Sequence, residues 1–125
     1  MDSRELRKRT KDFALRVIRV VVALPRSPVG DVLGKQLLRS GTSVGANYRE
    51  ACRGRSRAEF AAKVAISAQE ADESLYWLEL LADSGLVRRP LLADLQEEAN
   101  ELVAIFAASV KTAQRNNQKP KPPAE

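Results

Sequence analysis

The side chains of this chain best suited to chemistry are two pairs of carboxylates, one thiol and a set of arginines. Glu70 and Glu73 stand three residues apart, and Glu97 and Glu101 four apart. On a helix either spacing puts both carboxylates on one face, as in carboxylate-bridged metal centres. Those centres usually also take a Glu-x-x-His pair, and the sequence contains no histidine. The same lack removes the commonest general base and every Ser-His or Cys-His dyad. Cys52, the only cysteine, precedes Arg53, whose charge favours a thiolate; the plainer reading is a small side chain packed near a helix end. Arg53-Gly54-Arg55 holds a single glycine, too few for a loop that cradles phosphate. The carboxylate pairs read more simply as solvated helix faces. The expectation is a protein that is not an enzyme, with no cofactor, no metal and no small-molecule substrate.

The basic residues point elsewhere. The net charge is +5, but it is segregated: residues 1–24 carry seven basic and three acidic groups, residues 64–110 two basic and nine acidic. Arg49, Arg53, Arg55 and Arg57 form a cluster that can contact nucleic acid, supported by Arg4, Arg7, Lys8, Arg9 and Lys11 near the start and by Lys119 and Lys121 near the end. Cations of this kind bind phosphates electrostatically. Aromatic residues for stacking bases are few, and no recognition helix is visible. The acidic second half would equally suit a basic protein partner, and the dipolar charge can guide self-association.

Four helices are predicted to carry these residues. Leu6, Phe13, Val17, Val20 and Leu24 lie on one face of a helix over 3–24 that Pro25 stops. Ser27-Pro28 reads as an N-cap and first helical residue. The second helix has the stripe Leu33, Leu37, Gly41, Val44, Tyr48 and Ala51, and Gly54 breaks it. Ser56 and Glu59 form a capping box for a third helix with the stripe Phe60, Val64, Ala68, Ala71, Leu75, Leu78 and Ala82, ended by Gly85. Pro90 opens a fourth, with Leu91, Leu95, Ala99, Leu102, Phe106 and Ala113 inward. Short connections favour antiparallel neighbours, so the fold class is all-α, an up-down antiparallel four-helix bundle. The domain is placed at 1–117, and residues 118–125 read as a disordered, basic, proline-rich tail.

More apolar surface exists than one core needs. Leu15, Ile18 and Val22 lie opposite the core stripe of the first helix, and Ile66, Trp77 and Leu80 opposite that of the third. A patch of this kind suggests a subunit interface. Gly41 and Gly45 inside the second helix each cost about 1 kcal/mol relative to alanine, which predicts close approach of another helix over them. A polar stripe of Gln36, Ser43, Asn47 and Glu50, flanked by Arg39, runs beside them; Arg39 or Arg49 is expected to pair with Glu70, Glu73 or Glu79.

With 125 residues and 44% apolar side chains, the chain fits one folded domain. Its lone cysteine suits a reducing compartment. No apolar run nears the roughly 20 residues of a membrane span. The charged start shows no secretory cleavage pattern, so a cytoplasmic location is expected.

Residues 36–51, Gln-Leu-Leu-Arg-Ser-Gly-Thr-Ser-Val-Gly-Ala-Asn-Tyr-Arg-Glu-Ala, resemble the signature helix of the four helix bundle protein family, also called the large-subunit ribosomal RNA intervening-sequence protein family. The resemblance continues through 54–60 and 70–81; it is close over 30–88 and holds for the outer helices by pattern. It carries over Ser43, Asn47 and Glu50 as motif positions, without a catalytic role for any. It implies a bacterial bundle assembled as a ring-like homopentamer. The family name reflects gene location within ribosomal RNA insertions, not a reaction. A similar fold occurs in the accessory protein of diversity-generating retroelements, which works with a reverse transcriptase and nucleic acid. The functional expectation is a non-enzymatic oligomeric scaffold or adaptor for protein partners; the alternative is an accessory protein that binds RNA, DNA or a nucleic-acid enzyme.

Overall fold

The computed structural model describes residues 1–118. They form four helices, α1 (Ser3–Ala23), α2 (Pro28–Cys52), α3 (Arg57–Asp83) and α4 (Arg89–Gln118), and among the described residues there is no strand. Local chemistry sets the ends. The Asp2 carboxylate accepts the Glu5 N–H at 2.8 Å, and Ser27 Oγ accepts the Gly30 N–H at 2.9 Å ahead of Pro28. Ser56 Oγ accepts the Glu59 N–H at 3.0 Å, while Glu59 reaches back to the Arg55 N–H at 3.1 Å, one residue earlier than the usual capping box. Gly85 leaves α3 at a φ of 78°, which side chains resist.

Cross-helix partners show that neighbours run antiparallel. Gly34, Gly41 and Gly45 of α2 face Leu24, Val17 and Thr10 of α1, so one number rises as the other falls. Between α2 and α3 the same holds for Ser40 with Ser74, Val44 with Ser67 and Glu50 with Lys63. Arg57 of α3 donates to the Asn116 carbonyl of α4. Helix α4 returns to α1, but meets it far less extensively than α2 does. Arg9 is the polar tie across that seam, donating to both oxygens of Glu98 at 2.8 and 2.6 Å and to Glu101 at 2.7 Å. The Glu98 hydrogen bond, before any other cause, pushes the Arg9 pKa up.

The core is filled by Phe13, Val17, Leu37, Val44, Val64, Leu78, Leu81, Leu92, Leu102 and Phe106, all fully buried. The Tyr48 ring leans on Phe106, with centroids 5.6 Å apart. Ser40, Ser67 and Ser74 are also fully buried, each with a hydrogen-bond partner.

Two expectations need correction. Leu91 does not face the core; it is 72% exposed, and Leu92 is buried instead. The inward line of α4 steps by three and four residues from Leu92 through Leu95, Ala99 and Leu102 to Phe106, and Leu91 falls one residue, about 100°, off it. On α3 the buried line runs Ala61, Val64, Ser67, Ala71, Ser74, Leu78, Leu81; Phe60, Ala68 and Leu75 flank it, half-buried. The serines qualify because their hydroxyls are bonded, Ser67 to the Val44 carbonyl and Ser74 to the Glu70 carbonyl and Ser40. Helix α4 runs through Gln118, and residues 119–125 of the expected tail lie outside the described residues.

A Cβ at Gly41 would meet Val17 at 2.7 and 2.8 Å, and valine is stiff at χ1. Gly41→Ala is therefore expected to lower stability by about 1–3 kcal/mol despite alanine's better helix propensity. In Gly41→Ala/Val17→Ala the two losses should sum to less than their separate values, measured by urea unfolding. Arg9→Met should cost about 1–2 kcal/mol by the same assay, because Glu98, mostly shielded from water, keeps its charge and loses its partner; no loss would mean that the α1–α4 seam is held by apolar contact alone.

Candidate anion-binding groove

Antiparallel packing sets the first turns of α1 beside the last turns of α2. Gly45 lets the two backbones approach there: a Cβ on it would lie 3.2 Å from Thr10 Oγ1. Above this crossing lies a groove of about 540 Å³. Arg7, Lys8 and Lys11 form one wall, at the i, i+1 and i+4 positions that share an outward face of α1. Arg49 and Arg53, one turn apart, form the wall on α2. Between the walls the floor is small and uncharged, made of Ala14, Thr42, Gly45 and Ala46. Arg49 and Arg53 also lie at the negative end of the α2 dipole, which favours their charge there.

These cations lack partners that their neighbours have. Among the described residues, Arg7, Lys11, Arg49 and Arg53 stand in no salt bridge, and Lys8 meets only the exposed Asp12 at 3.6 Å. Arg9, though close in sequence, points to the other side of α1 and is taken up by Glu98 and Glu101. Arg39 is held by Glu70 at 3.1 Å and by Glu73, and the Glu73 hydrogen bond leads the upward push on its pKa. Trp77 Nε1 donates to the same Glu73 at 3.2 Å. Lys63 binds Glu50 at 2.9 Å, which raises the lysine's pKa, and Arg89 binds Asp83 at 2.8 Å. Five cations are left concentrated on one face.

The structure divides the residues expected to act. Of the arginine cluster, Arg49 and Arg53 enter the groove; Arg55 lies exposed in the α2–α3 turn, and Arg57 is bonded to the Asn116 carbonyl. The basic types at Arg7, Lys8 and Lys11 are plain in the sequence, but their position opposite Arg49 and Arg53 depends on the helix pairing. The polar stripe runs along the outer α2–α3 seam. Ser43 donates to the Arg39 carbonyl at 2.6 Å and Asn47 to the Ser43 carbonyl at 2.9 Å, both within their own helix. Of the expected arginine pairs, Arg39 forms its bond and Arg49 stands in none of those salt bridges.

The six apolar interface candidates also divide. Leu15, Ile18 and Val22 are exposed on α1 at 42, 37 and 80%. Ile66, Trp77 and Leu80 are half-buried, and Trp77 packs against the core, with Tyr76 edge-on to it at 5.2 Å.

Three of the four candidate carboxylates are engaged structurally: Glu70 and Glu73 hold Arg39, and Glu101 holds Arg9, while Glu97 is exposed. Among the described residues, no three thiol or carboxylate side chains converge as a metal-holding group. Burial first, and then the Cys52 thiol, push the Tyr48 phenol's pKa up. No helix of the described residues is long and apolar enough to cross a membrane.

The model of the 23S rRNA-intervening sequence protein family matches residues 3–108. Among solved structures, the chain is similar to a protein of unknown function from the S23 ribosomal protein family of Bacteroides thetaiotaomicron. The two share 35% sequence identity at a TM-score of 0.79, over 84% of this chain and 97% of that one. No functionally curated protein matches the chain. The family match spans all four helices, motif helix α2 and both groove walls included, and the chain belongs to the 23S rRNA-intervening sequence protein family.

Proposed function

We propose that this protein is a non-enzymatic, self-associating cytoplasmic adaptor that holds nucleic acid against its α1–α2 face. The observation that carries the reading is the groove with five cations around it, four of them in no salt bridge among the described residues. Unneutralised arginines and lysines crowded together repel one another, and a polyanion relieves that repulsion while releasing its own counterions. Of the acidic groups on α3 and α4, Glu98 and Glu101 are taken by Arg9, Glu70 and Glu73 by Arg39, and Asp83 by Arg89.

Self-association has separate support. Leu15, Ile18 and Val22 are exposed on α1, which meets α4 far less extensively than it meets α2. Monomeric proteins seldom leave such a strip uncovered. In the ring-like homopentamer that the family resemblance implies, symmetry repeats the groove in each subunit. Binding then gains from multivalency without any further contact. The protein-only scaffold is the second reading, and the same apolar strip is what favours it.

Binding to a mixed RNA and DNA pool should fall steeply between about 50 and 200 mM salt. Arg7→Ala/Arg49→Ala/Arg53→Ala should abolish it, with the circular dichroism spectrum unchanged. Absence of binding at low salt would reject the nucleic-acid reading. Light scattering should return a mass above that of one chain at micromolar concentration, and Val22→Glu/Ile18→Glu should lower it; a monomer in the unaltered protein would reject self-association.

A further inference from the structure

Resting on the nucleic-acid reading above, we propose that the groove takes a single-stranded phosphodiester backbone, without reading base identity, and excludes the duplex. The width decides the first point. Gly45 brings the α1 and α2 backbones together, so the two cationic walls stand on adjacent helices with only small residues between them, a trough that suits one strand. A duplex is broader and far stiffer than one strand, and it rests on the rim. The cations line both walls: Arg7, Lys8 and Lys11 face Arg49 and Arg53 across the floor. A strand lying between them is contacted from two sides, and a surface-bound duplex from one.

The floor decides the second point. It contains no aromatic ring and no aliphatic side chain larger than threonine or alanine. Bases therefore find nothing to stack on, and sequence preference should be weak. Thr42 already donates its hydroxyl proton to the Leu38 carbonyl at 2.7 Å, so it offers a phosphate no hydrogen. The guanidinium and ammonium groups of the walls do the binding. The same floor argues against an acidic helix from a protein partner. Helices dock in grooves through apolar anchors every three or four residues, and these need pockets that a floor of alanine, glycine and threonine lacks.

The test compares a labelled short oligothymidylate, the same oligomer annealed to its complement, and polyglutamate, each titrated against the full chain at several salt concentrations. The single strand should bind at least about tenfold more tightly than the other two, with a slope of log affinity on log salt of about −2 to −3, as expected for three or four phosphates. Ala46 is exposed on the groove floor, and glutamate is a good helix former. Ala46→Glu should therefore keep the melting temperature and lose binding about tenfold or more, whereas Arg55→Ala should leave binding unchanged. If Ala46→Glu lowers the melting temperature, Arg49→Gln/Arg53→Gln replaces it, with the same loss expected. Equal affinity for duplex, or binding indifferent to Ala46→Glu and to the glutamines, would overturn the single-strand groove while leaving a nucleic-acid role standing. Equal binding of polyglutamate would overturn it in favour of an acidic protein partner. No binding to either nucleic acid would overturn both.

Discussion

The close contact of α1 with α2 over Gly34, Gly41 and Gly45 is the constraint on which the rest of this structure depends. The three positions present no side chain, and Leu24, Val17 and Thr10 fill the space instead. Each glycine weakens α2 as an isolated helix by about 1 kcal/mol, and packing must offset that. The geometry explains how: Phe13 and Val17 reach the common core, and the α1 backbone lies low against α2. With bulkier residues at these positions the helices would separate, and the trough above Gly45 would change its width.

Charge is arranged around the same contact. The acidic side chains cluster on α3 and α4, and they reach across to take one cation from α1 and one from α2, Arg9 and Arg39. The more exposed Arg39 pairs contribute little individually, on the order of 1 kcal/mol or less, and Arg9 with the shielded Glu98 somewhat more. Their effect on function is larger than their effect on stability. By occupying Arg9 and Arg39, the carboxylates leave Arg7, Lys8, Lys11, Arg49 and Arg53 as the concentrated positive face. The apolar residues Leu15, Ile18 and Val22 lie further along α1. Self-association and anion binding can therefore occupy different parts of one helix.

Features governed by local rules were legible in the sequence. Ser27-Pro28, Ser56 with Glu59, and Gly85 place the helix ends within a residue or so, because caps and left-handed turns depend on neighbours in the chain. The tight approach over Gly41 and Gly45 was legible too, since unoffset glycines in a helix are costly. The α3 register was not. Ser67 and Ser74 look like surface residues until their bonds to Val44 and Ser40 are seen. Adjacent leucines at 91 and 92 left α4 ambiguous by one position. As for the site, its charges were visible and its shape was not. Nothing in the residue types says that Arg7 and Lys8 share a groove with Arg49 while Arg9 turns away. That follows only from helix phase combined with antiparallel pairing.

Close α1–α2 packing thus makes a cationic trough shaped for one nucleic-acid strand. The most direct measurement is a map of amide chemical shifts during titration with a single-stranded oligonucleotide. Changes should be confined to residues 7–14 of α1 and to 42–52 of α2 with its C-cap Arg53, where the walls and floor lie. Changes centred on Arg55 and Arg57, or spread along α3 and α4, would contradict it.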